Sequence, residues 1–401
     1  MKRTLACIFL TLLSLGAASQ DLPSCVKADS TALRFPGSRE RFERFAGKLQ
    51  QLRHTPDSSV TIWHIGGSHV QAGWFTSRVR HNFDSLGHYP AGSRGYIFPY
   101  PLAKTNWDRS FSVSREGEWE GSRSSNPNKK LPVRPDYGIM GIAAFTSDTT
   151  AAFGLRTPQP FTRLRIMGSA SGEDVAPWVI AGKDTQKCLP DTLLQGFVAE
   201  FRRPVDSVRV ELRLNEGEHF TLTGLLPESA KDGGLHYVST GVNGARTSTW
   251  TERCPEFARE LALVKPDLVI FGLGINDSAC PPQEFNPERF KRNYRRLIDQ
   301  VLDVRPGCAF VFVTNNDSWR YARRRMVHND NGRAVQRAMY ELAGEYDGAV
   351  WDLFSLMGGF GSADRWLAED LMKPDRLHFT REGYELLGDL LYEALVNECE
   401  R

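Results

Sequence analysis

The stretch Val60-Thr61-Ile62-Trp63-His64-Ile65-Gly66-Gly67-Ser68-His69 decides how the rest of the chain is read. Its apolar run predicts a strand, and the glycine pair predicts a tight turn at the strand's end. Immediately upstream, Phe42, Phe45, Leu49 and Leu52 recur at helical spacing over Arg39 to Leu52. Downstream, the segment from Val70 to Phe83 also reads as a helix, so the opening of the chain is helix, strand, turn, helix.

The same alternation resumes far along the sequence. Leu235 to Ser239, Leu268 to Leu273, Ala309 to Thr314 and Ala349 to Asp352 are short apolar runs of strand type, with helical segments between them. Asn286-Pro287 supplies an N-cap with proline in the first turn, ahead of an apolar stripe from Phe290 to Leu302. The last helix is expected to open at Thr380, with Tyr384, Leu387, Leu391 and Leu395 facing inward. Strands alternating with helices imply a mostly parallel sheet covered on both faces.

Between about Thr105 and Glu228 the pattern changes. In Ser207 to Leu214, apolar Val208, Val210, Leu212 and Leu214 alternate with Arg209, Glu211 and Arg213. Leu164 and Ile166 alternate with Arg163 and Arg165 in the same way. Period-two patterning with polar turns such as Asn126-Pro127-Asn128 predicts an antiparallel β-sandwich. The expected organisation is an α/β domain split into residues 20–104 and 229–401, with the sandwich inserted at residues 105–228.

The N-terminus reads as a secretory signal over residues 1–19: Met1-Lys2-Arg3, an apolar core from Leu5 to Leu15, then Ala17-Ala18-Ser19. The chain is therefore expected to be exported, periplasmic or extracellular, and no later segment has the length and apolarity of a membrane span. Without Lys2 and Arg3 the remaining 399 residues carry 48 basic and 48 acidic side chains. Such a balance offers no basic field for nucleic acid. Six cysteines follow the signal, from Cys25 to Cys399, in no metal-ligand spacing. Export permits disulfides among them, but their pairing is open.

Four clusters carry chemistry. Ser68 follows a strand and precedes a helix, which exposes it at the carboxyl edge of a parallel sheet with its N–H aimed at whatever binds there. Gly244, in Gly241-Val242-Asn243-Gly244, lets the backbone approach a substrate and offer an N–H. Asn276, after the most apolar strand, can aim a neutral NH₂ donor at a developing oxyanion. Asp375 stands three residues before His378, where a carboxylate can hold the ring Nδ1–H and leave Nε2 to act as a base.

Taken in chain order, these serine, glycine, asparagine and Asp-x-x-His blocks resemble the SGNH (GDSL) hydrolase superfamily over roughly Val60 to His88 and Leu235 to Leu395. The resemblance implies a doubly wound, five-stranded sheet of flavodoxin-like order. It implies Ser68 as nucleophile, His378 as general base, Asp375 as its partner, and Ser68, Gly244 and Asn276 as the oxyanion hole, with no metal or organic cofactor. Gly67 departs from the family, which usually has aspartate before the serine. The long insertion, Gly241 to Gly244 and the region from Trp351-Asp352 to Gly358-Gly359 resemble peptidoglycan O-acetylesterases. These imply a secreted esterase acting on an O-acetylated polysaccharide, with Trp107, Trp119 and Trp178 as candidate sugar-stacking residues. A polysaccharide O-acetyltransferase using the same site is one alternative. An inactive glycan-binding protein is another, favoured only by Gly67.

Overall fold

The two strand patterns build two sheets. A computed structural model describes residues 22–55, 57–87, 89–106, 109–172, 174–229 and 233–401. The expected signal segment, residues 1–19, and Trp107 lie outside the described residues.

The first sheet begins with β1 (Leu33–Arg34), followed by α1 (Glu40–Leu52), β2 (Ser59–Gly66), the single-turn α2 (Ser68–Gln71) and α3 (Trp74–Leu86). The helix expected across Val70 to Phe83 is thus two helices, broken at Gly73, whose φ is 81°. After the insertion the sheet continues with β12 (Gly234–Gly241), α4 (Thr249–Arg253), α5 (Phe257–Val264), β13 (Leu268–Gly272), α6 (Pro287–Val304) and β14 (Ala309–Val313). A hairpin of β15 (Trp319–Ala322) and β16 (Arg325–His328) follows. Then come α7 (Gly332–Glu345), β17 (Ala349–Trp351), α8 (Leu353–Met357), α9 (Ser362–Ala368) and α10 (Arg381–Cys399).

The strand order is β1-β17-β14-β13-β2-β12. The last five are parallel and follow the flavodoxin-like order, with β2 as the first strand. The expected count of five is corrected to six by β1, a two-residue edge strand that pairs antiparallel with β17. Nothing in its two residues marks a strand, because pairing rather than periodicity defines it. The parallel strands are buried on both faces: Ile62, Trp63, Ile65, Val269, Ile270 and Phe271 have essentially no exposure. Each such side chain contributes ~1.5–3 kcal/mol on burial. The helix caps follow the sequence: Asn286 accepts from the Arg289 N–H, and Thr380 from the Gly383 N–H.

The insertion forms the second sheet. Its strands are β3 (Ser112–Glu116), β4 (Glu120–Arg123), β5 (Ile142–Thr146), β6 (Ala152–Ala170), β7 (Trp178–Ala181), β8 (Asp184–Lys187), β9 (Leu189–Pro190), β10 (Gly196–Glu211) and β11 (Phe220–Glu228). All of its strand pairs are antiparallel. The expected sandwich is realised as one continuous hydrogen-bonded sheet, because the long strands β6 and β10 run through it. Their pairing shifts register between Glu200 and Ser207, where a bulge bends the ribbon. A single apolar core joins this sheet to one face of the parallel sheet, with Phe153, Leu164 and Ile166 in the same cluster as Trp63, Ile65 and Phe271.

Candidate active site

The parallel register brings three of the four clusters together. Gly66, the last residue of β2, is level with Gly241 of β12 on one side and Gly272 of β13 on the other. The loops carrying Ser68, Gly244 and Asn276 therefore leave the sheet from neighbouring positions at its carboxyl edge. The fourth cluster arrives from the loop before α10.

Ser68 Oγ lies 2.9 Å from His378 Nε2. On the other side of the ring, His378 Nδ1 lies 2.8 Å from Asp375 Oδ2. The second carboxylate oxygen of Asp375 accepts the backbone N–H groups of Leu377 (3.0 Å) and His378 (2.9 Å). Partial burial opposes ionisation of Asp375, but the His378 ring and these two N–H groups outweigh it and hold the carboxyl well below the usual carboxylate range. A fixed anion therefore faces Nδ1 and favours a proton there, which leaves Nε2 to accept from the serine.

Ser68, Gly244, Asn276 and His378 line one cavity of about 650 Å³. Gly244 has φ 80°, which a side chain would strain, and its conformation sets the direction of the loop's N–H groups. Asn276 donates from Nδ2 to the Ala245 carbonyl (2.9 Å), which fixes the amide while its second N–H remains to serve the cavity. Gly67 sits against this amide, and a Cβ built there would lie 3.2 Å from Asn276 Nδ2. The glycine in place of the family's aspartate thus leaves room beside the asparagine.

Several positioning residues escaped sequence reasoning. Gln71 is buried and ties three segments: its Oε1 accepts the Asn243 N–H (2.6 Å), and its Nε2 donates to Thr105 Oγ1 and the Asn106 carbonyl. Asp277 accepts both the N–H and the hydroxyl of Thr247, joining the asparagine loop to the glycine loop. Burial pushes its carboxyl up to about 6 despite those bonds. Asn316 donates to the Leu377 carbonyl (3.1 Å) and so supports the histidine loop. A buried glutamine in the turn after the serine was a legible signal, since a polar side chain there needs partners. The others had none.

His69 lies behind the Ser68–His378 pair, its ring centroid 5.5 Å from that of His378 and its Nδ1 2.8 Å from the Tyr384 hydroxyl. Burial, and then the neighbouring His378, push its pKa down to about 3. It is neutral at working pH and puts no second cation beside His378. Of the candidate stacking residues, Trp119 is core, 1% exposed, and Trp178 is half-buried beneath the Arg213 guanidinium, 4.2 Å from its ring centroid. Neither lines the cavity. Trp74, from the start of α3, does. Among the described residues no group of three or more His, Cys, Asp or Glu could hold a metal ion, and no helix is long and apolar enough to cross a membrane.

A sheet of this order, with serine, glycine, asparagine and Asp-x-x-His blocks gathered at its carboxyl edge, defines a serine esterase of the SGNH type. Residues 212–386 match the model of the GDSL-like lipase/acylhydrolase family. A solved structure described as a peptidoglycan O-acetylesterase in action is similar across 92% of this chain and 99% of its own, with a TM-score of 0.72 at 18% identity. An acetyl xylan esterase is similar over 40% of this chain and 81% of its own, with a TM-score of 0.32 at 14% identity. A family two carbohydrate esterase from Cellvibrio japonicus is similar over 72% and 99%, with a TM-score of 0.31 at 12% identity. No curated protein sequence matches.

Proposed function

We propose that this esterase is exported and removes O-acetyl groups from a cell-wall polysaccharide, peptidoglycan being the first candidate, through an acetyl-serine intermediate. The observation that carries the reading is the unbroken chain from Ser68 Oγ through the His378 ring to Asp375 at the wall of an open cavity. Likeness of nearly the whole fold, insertion included, to a peptidoglycan O-acetylesterase supports the substrate class. The segment Met1 to Ser19 supports export.

In this reading His378 Nε2 takes the Ser68 proton as Oγ attacks the acetyl carbonyl, forming a tetrahedral intermediate. The N–H groups of Ser68 and Gly244 and the Asn276 amide bind its oxyanion, and Asp375 stabilises the imidazolium. As the intermediate collapses, the sugar oxygen leaves with the proton from His378. Water then attacks the acetyl-serine with the same base, and acetate departs as the proton returns to Ser68.

The test is acetate release from O-acetylated peptidoglycan and from an aryl acetate, comparing wild type with Ser68→Ala. The expected loss is on the order of 10⁶-fold with an unchanged melting temperature. Equal turnover by the two proteins would end the proposal.

A further inference from the structure

The cavity at Ser68 is the middle of a longer groove. It shares Arg123 and Asn126 with a neighbouring cavity of about 520 Å³, and Ala72, Trp74 and Arg109 with another of about 420 Å³. Each has the volume that holds a small ligand by itself, so together they suit several linked sugars.

The charge of two of these three cavities departs from that of the chain. Basic and acidic residues number 50 and 48 overall. Yet the described residues lining the central and 520 Å³ cavities include seven lysines and arginines and no aspartate or glutamate. Lys104 pairs with Glu118, which lines none of the three cavities, and Arg381 with Glu385, which lines the 420 Å³ cavity. Arg123, Lys129, Lys130 and Lys373 form no salt bridge with any described residue. Lys373 stands on the histidine loop, and the other three belong to β4 and the turn after it; Arg123 and Lys373 line the cavity at Ser68, and Lys129 and Lys130 the neighbouring one. A low-dielectric cleft lined by one sign of charge focuses its field on whatever enters.

We propose that the acetylated glycan is anionic, carrying fixed negative charge on the units flanking the ester, and that the insertion's Arg123, Lys129 and Lys130 are its main charge readers. The inference rests on the esterase reading and sharpens its substrate. Uronate residues in the glycan backbone, or carboxylates of peptides hung from it, present the same chemistry.

The experiment measures kcat/KM of the mature full-length protein on four substrates: an aryl acetate, an acetylated neutral glucan, an acetylated polyuronate, and O-acetylated peptidoglycan with its peptides intact or enzymatically removed. Salt is raised from about 0.01 M to about 1 M, which shortens the screening length from ~30 Å to ~3 Å. Turnover of an anionic glycan should fall by ~10-fold or more, against less than about twofold for the aryl acetate and the neutral glucan. Dependence on the polyuronate places the charge in the sugar chain, and dependence on intact peptides places it there; either supports the proposal. In Lys129→Glu/Lys130→Glu, the ratio of anionic-glycan to aryl-acetate kcat/KM should drop ~10-fold. An unchanged ratio, or equal salt response and turnover on neutral and anionic glycans, overturns it. Absence of aryl acetate hydrolysis by wild type would strike the esterase reading instead. Salt-sensitive binding of the anionic over the neutral glycan by Ser68→Ala protein would then still decide the charge proposal.

Discussion

The parallel and antiparallel sheets of this molecule contribute to one cavity in different ways. From the parallel sheet come Ser68, Gly244, Asn276 and His378, all on loops at strand carboxyl ends or before the closing helix. From the insertion come Arg109, Arg123, Ser125 and Asn126, which form a wall. Ser125 Oγ donates to the Asn243 carbonyl (2.6 Å), so the wall also touches the glycine loop. The two contributions need different precision. Reacting groups must be held to a fraction of an ångström, which a buried, doubly covered sheet provides through its register. On the proposed reading this wall faces a polymer and tolerates looser placement: Arg109 precedes β3, and the other three lie on β4 and the polar turn after it.

If chemistry resides in the first sheet, single changes there should be far larger in effect than any in the wall. After Ser68→Ala, the largest is expected for Asp375→Asn. The asparagine oxygen can still accept the N–H groups of Leu377 and His378, so the loop holds its shape. Its NH₂ would face Nδ1 and favour the wrong ring tautomer, lowering kcat by ~10⁴-fold on an aryl acetate. A loss below tenfold, with the loop intact, would move the histidine's orientation to another group. Asn276→Ala should cost ~10²–10³-fold in kcat with little change in KM, because its amide serves the oxyanion more than the bound ester. A change confined to KM would make Asn276 a wall residue and blur the division between the halves.

How much of this was legible depends on the kind of order involved. Strands β2, β12, β13, β14 and β17 declared themselves as apolar runs because parallel strands are buried on both faces. Ser68, Gly244 and Asn276 were singled out because each follows such a run, and Asp375 and His378 because they stand just before the final helix. Strand β1 was not, since two residues carry no period and its only mark is a pairing with Trp351 and Val350. The break at Gly73 was hidden by apolar residues on both sides that keep a helical rhythm across it. Alternation identified the insertion as antiparallel, but not that β6 and β10 run through one sheet, because a bulge between Glu200 and Ser207 has no signature of its own. The basic groove was invisible for a simpler reason. Near-equal totals of charge conceal any cluster that folding assembles from distant loops.

The smallest expected effect probes the seam between the two sheets. Glu260 on α5 is 2% exposed, and its carboxylate accepts the Ile139 N–H of the insertion at 2.7 Å. Burial pushes its pKa from 4.5 up to about 8, the single hydrogen bond opposing only part of that. Between those values the folded protein holds a proton that the unfolded chain has released, so stability falls as pH rises through that window and levels off above about pH 8. Glutamine keeps an acceptor for Ile139 and has nothing to ionise. Melting temperatures of wild type and Glu260→Gln, followed from pH 4 to pH 9 by calorimetry, should converge in acid and separate in the variant's favour in base by a few degrees at most. One cooperative transition carrying that pH dependence means the insertion and the catalytic sheet unfold together, as their shared core requires. A pH-independent difference would mean water reaches Glu260. The seam would then be a hydrated contact between two separable units, and the wall of the site would be free to move against its chemistry.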